Sequence, residues 1–145
     1  MTPVCGLGVG LLPGKRALSS ARTIAFIDPK TGGQAAAGIV HVLDRLGITA
    51  DAAKKTVYGA TGAAAVEKVA SGQAEIAVAF ASEVLPIKGV KLVGLIQPDL
   101  QDPAPFAGGV GANGSNPQDA KALLQAIISP EGAKIVRAAG LEPSH

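Results

Sequence analysis

The sequence predicts an α/β layer fold with a largely parallel sheet, and three observations predict it. Short apolar runs alternate along the chain with apolar residues at helical spacing. Glycine, Asn-Pro and Ser-Pro punctuation falls at the joints between them. The third is content: 145 residues, 48% hydrophobic and 17% charged, suffice for the core of one compact domain. A mean hydropathy of +0.34 at so low a charge excludes intrinsic disorder, and the longest apolar runs are too short to span a bilayer. Aromatic residues make up 3% with no Trp, so the core must be Ala, Val, Ile and Leu. The same scarcity argues against stacking platforms for single-stranded nucleic acid. With 13 basic and 11 acidic residues spread along the chain, the net charge of +2 marks neither a nucleic-acid nor a membrane-surface protein.

The opening segment, residues 1–16, holds Gly6, Gly8 and Gly10 within an apolar stretch. Lys15 and Arg16 follow that stretch instead of preceding it, which is the wrong order for a signal peptide, and none is expected. A dinucleotide fingerprint must follow a strand and open a helix, and only five residues precede Gly6. The phosphate-loop pattern fails too, because Val9 stands where its first glycine belongs and Arg16 replaces its Ser or Thr. Cys5 is the one cysteine, so no intrachain disulfide and no thiolate metal cluster can form; it reads as an inert thiol.

Residues 24–28 form a short apolar run ended by Asp28-Pro29, a buried strand. Apolar Ala36, Ile39, Val40, Leu43 and Leu46 then recur at helical spacing up to Gly47, which takes the left-handed cap. Thr31 and Gln34 have capping-box spacing, which predicts Thr31 as the N-cap and Gln34 as its partner. A second strand–helix pair follows. Thr56-Val57-Tyr58 is strand-like, and Thr61-Gly62 leads into a helix over about 62–71 with Ala65, Val66 and Val69 buried. Glu75–Phe80 and Val90–Ile96 read as third and fourth strands, separated by a short turn at Ser82-Glu83 that ends by Pro86. Residues 97–105 are a connecting loop. The apolar, glycine-bearing stretch 106–112 reads as a strand closely approached by other backbone. Asn116-Pro117 starts a helix with Leu123, Leu124, Ile127 and Ile128 on one face, and Ser129-Pro130 starts another with Ile135 and Val136 buried.

Candidate chemistry is sparse. His41, Asp44 and Arg45 share the outer face of the first predicted helix and read as a solvated charge cluster, while His145 is the terminal residue. No nucleophile–base pair can be assembled, so no catalytic residue is assigned, and no metal or cofactor is expected. Glu83 alone could serve as a general base. What remains is geometric. Thr31-Gly32-Gly33 and Thr61-Gly62 each place a hydroxyl and unhindered N–H groups at a helix start after a strand, which makes both loops candidate anion sites. In a parallel sheet both lie at the carboxyl ends of strands, where ligands of open α/β folds bind.

Five segments then stand in the order and spacing of one family: residues 24–33 (IAFIDPKTGG), 66–76 (VEKVASGQAEI), 82–86 (SEVLP), 89–94 (GVKLVG) and 129–143, from Ser-Pro-Glu-Gly-Ala133 to Gly140-Leu-Glu-Pro143. Together they resemble the molybdate-binding-protein-like branch of extracellular solute-binding proteins, which have the type II periplasmic binding fold. The resemblance covers about residues 17–143. It implies a three-layer α/β/α single lobe over 17–145, the second of two lobes, with residues 1–16 unmatched and the oxyanion loops of the first lobe missing. It also implies periplasmic placement and delivery of oxyanions or small carboxylates to ABC transporters. By position, Thr31, Gly32 and Gly33 match a helix start facing the cleft, and Phe80, Ala81, Ser82 and Glu83 match the segment that also lines it. Glu83 there disfavours a bare dianion unless it points away or receives a substrate hydroxyl.

The implied function is binding of a small anionic solute, with a transporter permease as a possible further partner. Segment 106–112 and the helix after it would then need another partner for their apolar faces, which predicts a homodimer or a partner supplying the missing lobe. Two alternatives stand beside this reading: a ligand-free dimeric interaction lobe, and an isomerase of small tricarboxylates using Glu83 or His41 as base.

Overall fold

The computed structural model describes residues 4–5, 11–102 and 104–143, with side chains described from residue 14 onward. The glycine-rich opening at Gly6, Gly8 and Gly10, the Cys5 thiol and His145 lie outside the described residues. The chain divides into two compact units, 1–104 and 105–145.

The first unit begins with β1 (Val4–Cys5), α1 (Leu11–Ser20) and β2 (Ile24–Ile27). A 3₁₀ turn (Pro29–Thr31) follows, then α2 (Gln34–Leu46), α3 (Thr49–Ala53), β3 (Thr56–Gly59) and α4 (Gly62–Ala70). The unit continues through β4 (Ile76–Ala77), α5 (Ala81–Val84) and β5 (Lys91–Leu92) to a second 3₁₀ turn (Pro98–Leu100). The five strands form one sheet in the order β3-β2-β4-β1-β5, with every ladder parallel. A mixed α/β lobe with a small parallel sheet is therefore present, as the alternation of strand and helix patterns predicts.

Strand β2 is central to the packing. Ile24, Ala25 and Phe26 are 0–2% exposed, and the two-residue period sends alternate side chains to opposite faces. Ile24 and Phe26 join Leu18, Ile39, Val42, Leu43, Leu46 and Ile48 in one core beneath α1 to α3. Ala25 joins Ala65, Val66, Val69, Ala77 and Val84 in the other, beneath α4 and α5. The second core is built largely of Ala and Val, so α4 lies close to the sheet. Gly59 shows how close: a Cβ there would come within 3.0 Å of the backbone of Thr61 and Ala65. Helix α2 closes as its sequence predicts, on Gly47 at φ 65°, whose N–H reaches back to the carbonyls of Leu43 and Asp44.

Several expectations need correction. Within residues 1–16, which the resemblance leaves unmatched, β1 lies between β4 and β5, with Val4 opposite both Ile76 and Lys91, and α1 extends to Ser20. Residues 97–105 carry the second 3₁₀ turn, with Leu100 buried in the core. The third and fourth strands shrink to two residues each. The ladders of β4 and β5 last only as long as their pairing with the short β1.

The second unit contains α6 (Pro117–Ile128) and α7 (Pro130–Ala138). Asn116 and Ser129 cap them as predicted, with Pro at the first helical position of each. Residues 106–112 form no strand. Neither helix buries a large side chain: Leu123, Ile127 and Ile128 are exposed and Leu124 half-buried, an apolar face left without a cover, while Ile135 is exposed and Val136 half-buried, contrary to the burial expected of them. The two helices meet at Gly132, where a Cβ would overlap the carbonyls of Ala126 and Ile127.

This packing predicts a graded mutational response. Ile24→Ala should cost about 3 kcal/mol and Gly59→Val about 2 kcal/mol through overlap. Ile128→Ala, at a site 74% exposed, should stay within about 0.5 kcal/mol of wild type. Urea unfolding reads these as midpoint shifts at constant slope, and an Ile128 effect as large as that of Ile24 would contradict the placement of the core.

Candidate functional site

The site is built at the carboxyl ends of β2 and β4, from the loops that leave them. After β2, Asp28 folds the chain into the first 3₁₀ turn. Its Oδ1 accepts the Lys30 N–H at 2.9 Å, and its carbonyl accepts both the Thr31 N–H at 2.9 Å and the Thr31 hydroxyl at 2.7 Å. Thr31 is thereby committed to this turn. The predicted Thr31/Gln34 capping box does not form, and the N-cap of α2 is Gly33, which offers no side-chain acceptor. Gly32 and Gly33 take φ of 72° and 85°, and a Cβ at either would meet nothing within 4 Å, so backbone conformation and not crowding favours glycine. The first-turn N–H groups of the longest helix thus start without a side-chain cap.

Helix α4 starts differently. The Thr61 hydroxyl accepts the Ala64 N–H at 3.0 Å, a normal N-cap. Over its first residue, Gly62, lies the carboxylate of Glu83: a Cβ on Gly62 would fall within 3.0 Å of both oxygens and the carboxyl carbon. Glu83 is held there by its own short helix, because its Oε2 accepts the Phe80 N–H at 3.1 Å.

Between these two helix starts lies a partly open cavity of about 70 Å³. Its walls are mainly apolar, from Ile27, Ile39, Val42, Val78, Phe80 and Ile96, with Gly38 and Ala35 of α2 on one side and Gly62 and Glu83 on the other. Ala79, Ala104, Gln34, Gln101 and Asp102 complete the lining. The last two arrive through the loop after Ile96, which folds back over α2. Leu100 anchors the loop in the core, Gln101 donates to the Ile96 carbonyl at 2.7 Å, and Arg45 donates to the Asp99 carbonyl at 3.2 Å. Asp102 closes the clasp: His41 Nδ1 lies 2.9 Å from its Oδ2 and Arg45 Nη2 lies 3.2 Å from its Oδ1. The hydrogen bond with His41 and the positive charge of Arg45 lower the pKa of Asp102 below the ordinary carboxylate value.

Of the residues singled out in the sequence, Gly62, Phe80 and Glu83 line this cavity. Thr31, Gly32, Gly33, Thr61, Ala81 and Ser82 flank it in the chain without lining it. His41 and Arg45, read as a solvated cluster, instead pin a loop 54 or more residues away, while Asp44 pairs with the Thr49 hydroxyl. Sequence reasoning missed Gln101, Asp102 and Ile96, whose arrival depends on the loop folding back; only the Pro/Asp-rich composition of 97–105 hinted at turn structure. Among the described residues, no group of three or more His, Cys, Asp or Glu could hold a metal ion, and no helix is long and apolar enough to cross a membrane.

A parallel α/β lobe with an apolar cavity at its strand ends, bordered by a helix start, has the architecture of a small-solute-binding lobe. Residues 14–142 match the family described as bacterial extracellular solute-binding protein, and the chain belongs to that family. It is also similar to an aconitate isomerase from Pseudomonas sp, at 33% identity over 75 residues. That match covers 52% of this chain and 29% of the relative, less than a third of the relative's length.

The Asp102 clasp has a definite pH dependence. A carboxyl held below its ordinary pKa stabilises the fold fully above that ordinary value and loses the contribution as pH falls through the lowered one. Wild type should therefore melt above Asp102→Asn at neutral pH, and the difference should vanish as pH drops below the carboxylate range. A difference that persists at pH 2 would show that ionisation of Asp102 does not support the loop.

Proposed function

We propose that this chain is a ligand-binding lobe of a solute-binding protein serving an ABC-type transporter, and that it holds a small oxyanion or carboxylate. The observation that carries this reading is the apolar cavity at the strand ends, bordered by the starts of α2 and α4. Backbone N–H groups and the helix dipole favour a negative group there, and the open backbone at Gly32 and Gly33 leaves room for approach. Thr31, Gly32, Gly33, Thr61, Ala81 and Ser82 form the outer rim in this proposal, with Gly62, Phe80 and Glu83 inside. The family assignment supports a binding role over catalysis.

Thermal unfolding against molybdate, tungstate, sulfate, phosphate, citrate and aconitate tests it, with chloride as the ionic-strength control. A ligand at about 100 times its dissociation constant adds roughly 2.7 kcal/mol and lifts the midpoint by several degrees. Gly38 offers a specific control, since a Cβ there meets nothing within 4 Å and the residue borders the cavity. Gly38→Leu should keep the fold, gain helix propensity, and abolish the ligand-induced shift. Retention of the shift in Gly38→Leu would place binding elsewhere.

The resemblance to an aconitate isomerase favours one second reading, isomerisation of aconitate with Glu83 as base. Incubating the chain with aconitate and following isomer composition separates the two: binding without turnover is the expected outcome, and turnover lost in Glu83→Gln would favour the enzyme.

The exposed apolar side chains of the second unit, among them Phe106, Leu123, Ile128 and Ile135, support self-association or docking of a partner on that unit. Sedimentation velocity at tens of micromolar should show a dimer, and a monodisperse monomer would leave those side chains to another polypeptide.

A further inference from the structure

The walls of the cavity are unequally held. Ile27 lies on β2, Gly38, Ile39 and Val42 on α2, and Gly62 on α4, while the Val78 N–H is bonded to the Ala25 carbonyl at 3.0 Å. Residues 97–102, which bring Gln101 and Asp102 to the lining, pair with no strand and extend no helix of the core. Their own bonds are local: the Leu100 N–H to the Gln97 carbonyl at 3.0 Å and the Gln101 side chain to the Ile96 carbonyl. Among the described residues, two side chains of α2 supply the hydrogen bonds that tie this segment to the rest of the unit. Arg45 reaches the Asp99 carbonyl and one carboxylate oxygen of Asp102, and His41 reaches the other. Leu100, buried in the core, is the apolar anchor. The side chains of His41, Asp102 and Arg45 are 43–57% exposed, and pairs so exposed are weak and screened by salt. This wall therefore comes free at a much smaller cost than any part of the sheet or of α2.

The size of the cavity gives that freedom a consequence. About 70 Å³ is roughly half the volume of a cavity that encloses a benzene ring, so a solute as large as citrate or aconitate is enclosed only if a wall gives way. We propose that Gln101 and Asp102 form a latched strap that pivots on Leu100. With His41 and Arg45 bound to Asp102 the strap closes the cavity, and with those pairs broken it swings out and enlarges the space. What enters rests on the solute-binding reading above; the motion does not. His41 and Arg45 are positioning residues in this device, since neither lines the cavity.

Thiol alkylation of the full chain by iodoacetamide, an uncharged reagent, tests the strap without any ligand. Val78→Cys places a thiol on the cavity lining, and Val66→Cys places one in the other core, beneath α4. Peptide mass mapping separates each from the native Cys5. His41→Ala and Arg45→Ala should each raise the alkylation rate at position 78 about fivefold and leave the rate at position 66 unchanged. A general loss of stability would raise both rates together, and that result would overturn the strap. Salt supplies a second measurement should a latch variant fail to fold: with His41 and Arg45 intact, passing from low to molar NaCl should speed alkylation at position 78 alone. A rate at position 78 indifferent to both latch variants and to salt would also overturn the strap. Ligand-induced stabilisation alongside that indifference would leave the solute-binding reading intact. Faster alkylation at position 78, with no solute of the panel shifting the melting midpoint, would overturn that reading and keep the motion.

Discussion

Strand β2 is the constraint on which the rest of the first unit depends. It pairs in parallel with β3 on one side and β4 on the other, and it is buried on both faces. A strand so placed must be apolar throughout and short, and its exit must turn at once. Asp28-Pro29 supplies that turn, and the parallel arrangement sends the exits of β2, β3 and β4 to one edge of the sheet. Helices α2 and α4 then pack on opposite faces because Ile24 and Phe26 point one way and Ala25 the other. A recess between the two helix starts at that edge follows directly from this arrangement.

The two helix starts look alike in sequence, each a threonine followed by glycine, yet they end in different electrostatic states. Thr61 caps α4, and the Glu83 carboxylate covers Gly62. Thr31 turns back to Asp28, and the N-cap of α2 is Gly33, with no side-chain acceptor. Gly32 and Gly33 both take positive φ between the turn and the helix, a conformation that favours glycine. The far wall is held by a different device, the clasp of His41 and Arg45 on Asp102, which fixes a loop otherwise anchored through Leu100. A second ion pair, Arg22 with Glu75, performs a similar task where β4 begins. Hydrogen bonds from the Arg22 backbone and side chain lower the pKa of Glu75.

Helix α2, its Gly47 stop, the Thr61 cap of α4 and the Asn116 and Ser129 caps of α6 and α7 were all legible, as was the parallel α/β class. Each depends on residues within about one helical turn of one another, so local sequence contains the whole signal. Three of the nine proposed site residues line the cavity, Gly62, Phe80 and Glu83, each close after a strand whose pattern was legible. The short strand β1 was not, since two residues form a strand only when β4 and β5 are present on either side. Nor was the exposure of Ile135. Apolar spacing states which face of a helix could be buried, and burial itself needs a surface to receive that face.

The sequence by itself determined the succession of strands and helices, their caps and stops, and a core made of small aliphatic side chains. Those are matters of local conformational preference and of hydrophobic period. Tertiary structure alone decided that Gln101 and Asp102, more than sixty residues beyond Gln34, complete the same cavity. It also decided that the Glu83 carboxylate lies against Gly62, the first residue of α4. Both depend on long-range packing that brings separate loops to one sheet edge, and no local spacing in the chain encodes that distance.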